Sequence, residues 1–209
     1  MMALELRYGV TLYFARHGET LANVEKRFQG RNDTPLTEHG CLQARMLAAI
    51  LAGLLAGQPT PRFVSSPLPR ARTTMELVLE ALGLPRNYDM DPRLMEIDLG
   101  DWSGLTDDEA KARDPAMWDK RLHDKWNVRV PGGGENYAMV AERLTEWAGE
   151  QNRDTVAISH GAATRILRGL ILGLDAQQMS ALDEPQDCVF RVSDGVLTRH
   201  EYHGPLPPV

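Results

Sequence analysis

The residues of this 209-residue chain with the clearest chemical potential are Arg16, His17 and Gly18, which follow the apolar stretch 12–15. Such a stretch predicts a buried strand. A strand that ends in a glycine-containing turn delivers side chains to the sheet edge where α/β proteins bind ligands. A guanidinium there can bind phosphate through paired N–H donors, and a neutral imidazole beside it can act as a nucleophile. The pattern therefore predicts a phosphate site at the end of the first strand.

Three later segments supply the other groups that phosphoryl transfer needs. Arg70 stands at the start of a predicted helix, Glu96 lies in a short irregular stretch, and His160 follows a second predicted strand. Without a metal ion, fixed cations and dipoles must stabilise the phosphoryl oxygens. His17 can attack phosphorus, and Glu96 can protonate the leaving oxygen and then activate water. The candidate stabilising groups are Arg16, Arg70 and His160, with backbone amides near Gly18, Gly30 and Gly161.

Strands alternate with helices along the chain, which predicts a three-layer α/β/α sandwich with a mainly parallel central sheet. Periodicity and turn residues predict strands at 10–15, 62–65, 88–90 and 155–159, and a terminal hairpin of 189–192 with 196–199. Helices are predicted after the N-caps Thr37 and Asn136, over 70–82, and after Gly161. The first of these helices is expected to bury Leu42, Met46, Ile50 and Leu54.

The polar segment 101–133 is the least regular part of the chain. It carries Trp102, Trp118 and Trp126 and ends in three glycines. We interpret it as short helices and loops inserted as a small cap into a single domain spanning residues 1–209. The tryptophans are candidates for either a substrate-pocket wall or packing inside the cap.

Composition excludes several classes of partner. The net charge of −6 and pI of about 5.5 argue against nucleic-acid and membrane-surface binding, which need a basic face. No apolar stretch approaches the length of a transmembrane helix. Cys41 and Cys188 lie far apart in no metal-type spacing, which favours free thiols in a reducing cytoplasm. We therefore expect a cytoplasmic protein with no cofactor and no metal.

These motifs together resemble the histidine phosphatase superfamily, in its phosphoglycerate-mutase-like branch. The resemblance covers segments 10–46, 62–75, 93–104 and 155–174, which is most of the chain. It implies the same sandwich fold, with His17 as the phospho-acceptor and Glu96 as the acid and base. The phosphate pocket that it implies consists of Arg16, Asn23, Arg70 and His160, with Gln29, Gly30 and Gly161 as lining residues.

The resemblance favours a phosphatase over a mutase. The block 100–104 is more similar to the α-ribazole and phosphoserine phosphatases, and the cap is short and mixed in charge. True mutases carry a longer middle section with extra basic residues for a carboxylate and a second phosphate. We therefore predict a metal-independent hydrolase that acts on a small phosphorylated metabolite through a phosphohistidine.

Several alternatives stay open from the sequence. The chain could be a cofactor-dependent phosphoglycerate mutase, a non-catalytic protein that binds phosphorylated ligands, or a metal hydrolase with His17, Glu96 and His160 as ligands. Asp98 and Asp101 are rivals of Glu96 for the acid role. An edge strand near the C-terminal hairpin could also mediate a homodimer.

Overall fold

The central sheet has six strands in the order β3-β2-β4-β1-β5-β6. The structure, a computed structural model, describes residues 4–205. The first four strands in chain order run parallel, and the last two pair antiparallel with β1 and with each other. The predicted mainly parallel sheet is therefore confirmed. The strands are β1 (Leu12–Arg16), β2 (Arg62–Ser65), β3 (Asp89–Met90), β4 (Thr155–Ser159), β5 (Cys188–Ser193) and β6 (Val196–Glu201).

Helices cover both faces of the sheet, which confirms the three-layer prediction. Alternate residues of β1 point to opposite faces, so Tyr13 packs in one apolar cluster with Leu47 and Phe14 packs in another with Leu144. None of the helices within residues 4–205 combines the length and apolar character needed to cross a membrane. The helices are α1 (Leu21–Val24), α2 (Glu38–Leu54), α3 (Pro69–Ala81), α4 (Asp107–Arg113), α5 (Pro115–His123), α6 (Tyr137–Gly149), α7 (Gly161–Ile171) and α8 (Ala176–Ser180).

The buried face of α2 differs from the prediction. Leu42, Met46 and Leu54 are only half-buried, and of the four predicted residues Ile50 alone belongs to the buried set. The predicted stripe took every fourth residue, whereas the buried stripe follows the 3.6-residue period of the helix and includes Ala44, Leu47, Ala48 and Leu51. The buried residues are Gly40, Gln43, Ala44, Leu47, Ala48, Ile50 and Leu51.

The predicted N-caps and the predicted hairpin turn are confirmed. The side chains of Thr37 and Asn136 accept hydrogen bonds from the backbone amides of Gly40 and Met139, as N-caps do. The hairpin turn has positive φ at both Asp194 and Gly195, which matches the twist of the flanking strands. β6, the second strand of this hairpin, forms one edge of the sheet.

The turn after β1 packs against the start of α2 through two glycines. A Cβ on Gly18 would lie 2.2 Å from the carbonyl oxygen of Gly40, and a Cβ on Gly40 would lie 2.1 Å from that of Glu19. Because both contacts are with backbone atoms, neither can be relieved by rotating a side chain. The backbone contact therefore fixes the turn that carries His17.

Replacing Gly40 with alanine is expected to destabilise the protein by about 1–3 kcal/mol, since the added methyl group overlaps the Glu19 carbonyl. Gly53 in the same helix offers a matched control, because a Cβ there meets nothing within 4 Å. Gly53→Ala should stabilise the protein by about 0.5–1 kcal/mol, through reduced backbone entropy of the unfolded chain. Urea unfolding of both variants tests this. Equal effects would show that the close contact is not required.

Candidate active site

The parallel pairing of β1 with β4 brings the two histidine-glycine segments together. Arg16 pairs with Ser159 at the carboxyl ends of these strands, and the backbone amide of His17 donates to the Ser159 carbonyl at 3.0 Å. The rings of His17 and His160 are consequently 5.1 Å apart at their centroids. The topology thus assembles residues that are more than 140 positions apart in the chain.

His17 is held in one tautomer by contacts at both ring nitrogens. Its Nδ1 lies 2.7 Å from the Gly18 carbonyl oxygen, so Nδ1 carries the proton and donates. Its Nε2 lies 3.2 Å from Nε of Arg70, which donates to it. Burial lowers the pKa of His17 well below its ordinary value, and the charges of Arg16 and Arg70 lower it further. The ring is therefore neutral, and its unprotonated Nε2 has the lone pair that a nucleophile needs.

Arg70 is 1% exposed and fixed on every side of its guanidinium. Its Nη1 donates to the carbonyl of Asn32 at 2.7 Å and to the carboxylate of Asp33 at 2.8 Å, and its Nη2 donates to the carbonyl of Gly30 at 2.7 Å. The buried charge is compensated by Asp33, which the sequence analysis did not single out. These contacts hold the guanidinium against His17 before any ligand binds.

Arg16 and His160 each keep one nitrogen without a protein partner. Arg16 donates from Nη1 to the carbonyl of Glu184 at 2.7 Å, while its Nε is buried and makes no hydrogen bond within residues 4–205. His160 lies 2.7 Å from the Ser66 hydroxyl through Nε2, and its buried Nδ1 has no partner in the same part of the chain. Burial, followed by the charge of Arg70, lowers the pKa of His160 well below its ordinary value. The imidazole is therefore neutral.

Glu96 sits at the amino-terminal end of α7. Its carboxylate accepts backbone N–H bonds from Ile97 at 3.0 Å and from Ala162 and Ala163 at 3.2 Å each. Burial raises its pKa, and the nearby carboxylate of Glu184 raises it further. A raised pKa suits a group that must carry a proton near neutral pH.

The rival carboxylates of Glu96 do not line the cavity beside His17. Asp98 lies 3.5 Å from Arg31 in an ion pair, and Asp101 lies outside the cavity wall. Glu96 does line the cavity, together with Arg16, His17 and Arg70. The geometry therefore favours Glu96 over both aspartates.

The three predicted loop residues all reach the cavity, but the side chain of Gln29 is engaged within the loop. Asn23, Gln29 and Gly30 all line the cavity. Gln29 uses both ends of its amide within the loop, with Nε2 2.8 Å from the Thr20 hydroxyl and Oε1 accepting from Thr34 at 3.2 Å. It therefore shapes the loop.

The three glycines at the predicted backbone donors have other contacts or lie outside the cavity wall. The Gly18 amide donates to the Thr74 hydroxyl at 3.1 Å, so it is already used, and Gly30 presents its carbonyl to Arg70. Neither Gly161 nor His160 lines the cavity, where Ala162 takes the place of Gly161. The geometry therefore leaves the side chains of Arg16 and Arg70 as the main cationic groups around His17.

The cavity has a volume of about 330 Å³ and extends from His17 to the cap. Phe28, Trp102 and Trp118 form an aromatic cluster along it, with ring centroids 5.4–6.3 Å apart. Trp126 packs instead against the main apolar core. Trp102 and Trp118 thus both line the cavity and pack inside the cap, so the two interpretations hold together for them, and Trp126 fits neither.

A second group of cations lines the cap side of the cavity, formed by Arg121, Lys125 and Arg165. Arg165 pairs with Glu184 at 3.1 Å, whereas Arg121 and Lys125 form no ion pair within residues 4–205. Burial lowers the pKa of Lys125, and so do the charges of Arg165 and Arg121. The sequence analysis counted Arg121 and Lys125 only as part of a mixed-charge segment, although their spacing of four was visible.

The side chains that could supply metal ligands are dispersed in the described part of the chain. Among residues 4–205, no three or more histidine, cysteine, aspartate or glutamate side chains are grouped to hold a metal ion. His17 and His160 instead contact Arg70 and Ser66 through their Nε2 atoms. The arrangement thus gives the metal-hydrolase alternative no support.

A neutral histidine, two arginines and a buried glutamate lie together at the carboxyl end of a mainly parallel sheet, an arrangement suited to handling phosphate. The profile of the histidine phosphatase superfamily (branch 1) matches residues 12–194. The chain belongs to this superfamily. The resemblance that the sequence motifs suggested is confirmed.

The curated relatives include both phosphatases and a mutase. A glucosyl-3-phosphoglycerate phosphatase of Mycolicibacterium vanbaalenii is 35% identical over 184 residues, 82% of this chain and 78% of that protein. An adenosylcobalamin/alpha-ribazole phosphatase of Salmonella typhimurium is 31% identical over 187 residues, covering 85% and 87%. A "Probable phosphoglycerate mutase" of Erwinia tasmaniensis is 33% identical over 171 residues, covering 79% and 76%.

Solved structures agree with this assignment. The mycobacterial glucosyl-3-phosphoglycerate phosphatase in complex with VO3 has a TM-score of 0.70 at 32% identity, covering 92% of this chain and 97% of that one. YhfR of Bacillus stearothermophilus has a TM-score of 0.76 at 28% identity, covering 92% and 96%. Some relatives are longer: this chain spans 46% of a bifunctional protein of Mycobacterium tuberculosis that is 32% identical to it.

Proposed function

We propose that this protein is a phosphomonoester hydrolase that works through a phosphohistidine at His17 and needs no metal ion. One observation carries the proposal. The unprotonated Nε2 of His17 is held 3.2 Å from a buried arginine, in a cavity that Arg16 and Glu96 also line. These groups are a nucleophile, two cations and an acid, which together suffice for phosphoryl transfer.

In the first step, Nε2 of His17 attacks phosphorus and the ester P–O bond breaks. The proton on Glu96 passes to the leaving oxygen, so an alcohol departs and the carboxylate of Glu96 remains. Arg16 and Arg70 stabilise the charge on the phosphoryl oxygens, because both guanidiniums are fixed in place before the substrate binds.

In the second step, a water molecule attacks the phosphohistidine. Glu96 takes the proton from this water, the N–P bond breaks, and inorganic phosphate leaves. Glu96 is then protonated and His17 neutral, as at the start. Its raised pKa suits Glu96 to both roles, since the group must gain and lose a proton in each cycle.

The cap side of the cavity supports a particular class of substrate. Lys125 presents positive charge with no ion-pair partner in the described part of the chain, beside the buried Arg121, and Phe28 and Trp118 offer aromatic surface. A small phosphomonoester with a second anionic group, such as a carboxylate, would satisfy these cations. The proposed substrate is therefore a small phosphorylated metabolite of this kind.

Truncating Lys125 tests that assignment. Lys125→Ala is expected to raise KM about tenfold for a phosphomonoester that carries a carboxylate, because a charge-assisted contact is lost. KM for p-nitrophenyl phosphate should stay within about twofold, since that ester has no second anion. Lys111→Ala, in the cap but outside the cavity wall, is the matched control and should change neither value. A uniform effect of Lys125→Ala on both esters would contradict a second anion site.

The same cations favour a second candidate, a cofactor-dependent phosphoglycerate mutase. A mutase needs a second anion site and a phosphorylated resting enzyme, and three relatives are named as probable phosphoglycerate mutases. We rank hydrolysis first because the cap is short and mixed in charge, and because relatives at comparable identity, one of them a solved structure, are named as phosphatases. The ranking rests on these names and on the short cap.

Hydrolysis of a panel of phosphomonoesters in excess EDTA separates the candidates. The panel includes phosphoglycerate with and without bisphosphoglycerate. Phosphate release that survives EDTA supports the proposed hydrolase. Interconversion of phosphoglycerates without net release would indicate a mutase, loss of activity in EDTA a metal hydrolase, and binding without turnover a non-catalytic phospho-ligand-binding protein.

Three further features belong to the proposal. Residues 1–209 are assigned to one domain with residues 101–133 as its cap.

Cys41 and Cys188 are free thiols, which supports a cytoplasmic location. The edge strand β6 is the surface through which a homodimer would form.

A further inference from the structure

Glu184 is a carboxylate in the cavity wall that the proposed reaction does not use. It lies in the segment between α8 and β5, outside the segments that carry the resemblance. One carboxylate oxygen is 3.1 Å from Nη2 of Arg165, and the other is 3.9 Å from Nη1 of Arg16. Its backbone carbonyl also accepts from Arg16 at 2.7 Å. Glu184 thus connects a phosphate-pocket arginine with a cap-side arginine.

The carboxylate of Glu184 lies directly over the first residue of α7. A Cβ on Gly161 would come within 2.5 Å of Oε2 of Glu184 and within 3.3 Å of Cζ of Arg16. A larger residue at position 161 would therefore push the end of the Glu184 side chain out of its present place.

Glu184 and Glu96 therefore both lie at the amino-terminal end of α7. Glu96 accepts hydrogen bonds from the amides of Ala162 and Ala163, the residues that follow Gly161. The two differ in their partners, because Glu184 faces two guanidiniums whereas the carboxylate of Glu96 receives only backbone amide bonds. When two carboxylates are close, the proton resides on the one with less cationic support.

The loop that carries Glu184 is clamped on both sides. Before Glu184, Asp183 pairs with Arg168 at 2.8 Å and with Arg199 at 2.6 Å. After it, Gln186 donates to the carbonyl of His17 and to Oδ1 of Asn23, each at 3.1 Å. A loop held at both ends keeps the carboxylate in one place, which an electrostatic role requires.

We propose that Glu184 is a positioning residue for the reaction. It holds Arg16 in place through its carboxylate and its backbone carbonyl, and it keeps the catalytic proton on Glu96. The proposal rests on the proposed function for its catalytic meaning, but its electrostatic content concerns Glu96 directly. Five charged side chains from the neighbouring elements act on Glu96. Glu184 is the carboxylate among these five, and its negative charge favours the protonated form of Glu96. The others are Arg16 on β1, Arg70 on α3 and Arg165 on α7, with Arg143 of α6 donating to the Glu96 backbone carbonyl.

Titration of Glu96 in the intact protein tests the proposal. The side-chain carboxyl carbon of Glu96 is followed by NMR and assigned by its loss in Glu96→Gln. In Glu184→Gln, which removes the charge and keeps the size, Glu96 should titrate about one pH unit lower. Glu184→Asp keeps the charge and should restore most of the shift. Asp187→Asn, a loss of charge on the same loop but outside the cavity wall, should leave the titration unchanged.

A titration of Glu96 at the same pH in Glu184→Gln and wild type would overturn the proposal, whatever the enzyme's activity. A purely structural Glu184 would lower the unfolding temperature of the variant without moving Glu96. In the kinetic arm, the alkaline limb of the kcat–pH profile should move to lower pH in Glu184→Gln. If wild type hydrolyses no phosphomonoester, the proposed function fails while the NMR shift still decides the role of Glu184.

Discussion

Replacing His17 with alanine is expected to reduce kcat for phosphomonoester hydrolysis by about 10⁴-fold or more, while the fold persists. The reason is that no other described side chain presents an unprotonated nitrogen to the cavity next to Arg16 and Arg70. Without it, water must attack phosphorus directly in a pocket that is built for a different nucleophile. Steady-state kinetics of the purified variant, with circular dichroism to confirm folding, measure the loss.

The control for this prediction is another histidine. His39 lies exposed in the first turn of α2, away from the cavity, so His39→Ala should keep full activity. Phosphate binding should survive in His17→Ala, because both arginines remain and Arg70 keeps its bonds to the loop 30–33. A His17→Ala enzyme that retained substantial turnover would show that the nucleophile lies elsewhere.

Replacing Glu96 with glutamine is expected to reduce kcat about 10²–10⁴-fold, with the largest loss on esters whose alcohol is a poor leaving group. Glutamine occupies the same space but cannot transfer a proton. p-Nitrophenyl phosphate needs little protonation of its leaving oxygen, so its rate should fall least. Comparing kcat for p-nitrophenyl and alkyl phosphates in wild type and variant measures the effect.

The pH dependence follows from the direction of the two pKa shifts. Protonation of His17 removes the nucleophile, and because burial lowers its pKa, this loss occurs only well on the acid side. Deprotonation of Glu96 removes the acid, and because burial raises its pKa, the rate falls at a higher pH than for an ordinary glutamate. The kcat profile should be bell-shaped, and its alkaline limb should disappear in Glu96→Gln. A limb that persists there would assign the proton to another group; Asp98→Asn serves as the control, since Asp98 lies outside the cavity wall.

Much of the central site could be predicted because it stands on strand ends. Arg16, His17 and His160 follow buried apolar runs, and parallel strands necessarily deliver such residues to one edge of a sheet. Arg70 and Glu96 could be placed by the resemblance of their segments. The sandwich followed from the alternation of strands and helices, although the buried face of α2 did not, because its buried stripe is displaced from the predicted one and combines small with large residues.

The rest of the site depends on contacts that local sequence does not encode. Asp33 compensates Arg70 from a loop, and Glu184 reaches Arg16 from a segment 168 residues away. The Gly18 amide is used by Thr74 and the Gly30 carbonyl faces Arg70, and such backbone directions in a turn depend on partners that are distant in the chain. Long-range ion pairs and loop backbone geometry are therefore what the structure adds.

The central claim is that phosphorus is transferred to His17 before it reaches water, and the stereochemistry of hydrolysis tests it most directly. An oxygen-isotope-labelled chiral phosphorothioate ester is hydrolysed by the enzyme, and the configuration of the product is determined. Two successive in-line displacements, first by Nε2 of His17 and then by water, predict overall retention of configuration at phosphorus. Inversion would mean that water attacks in a single step, and it would contradict the phosphohistidine account.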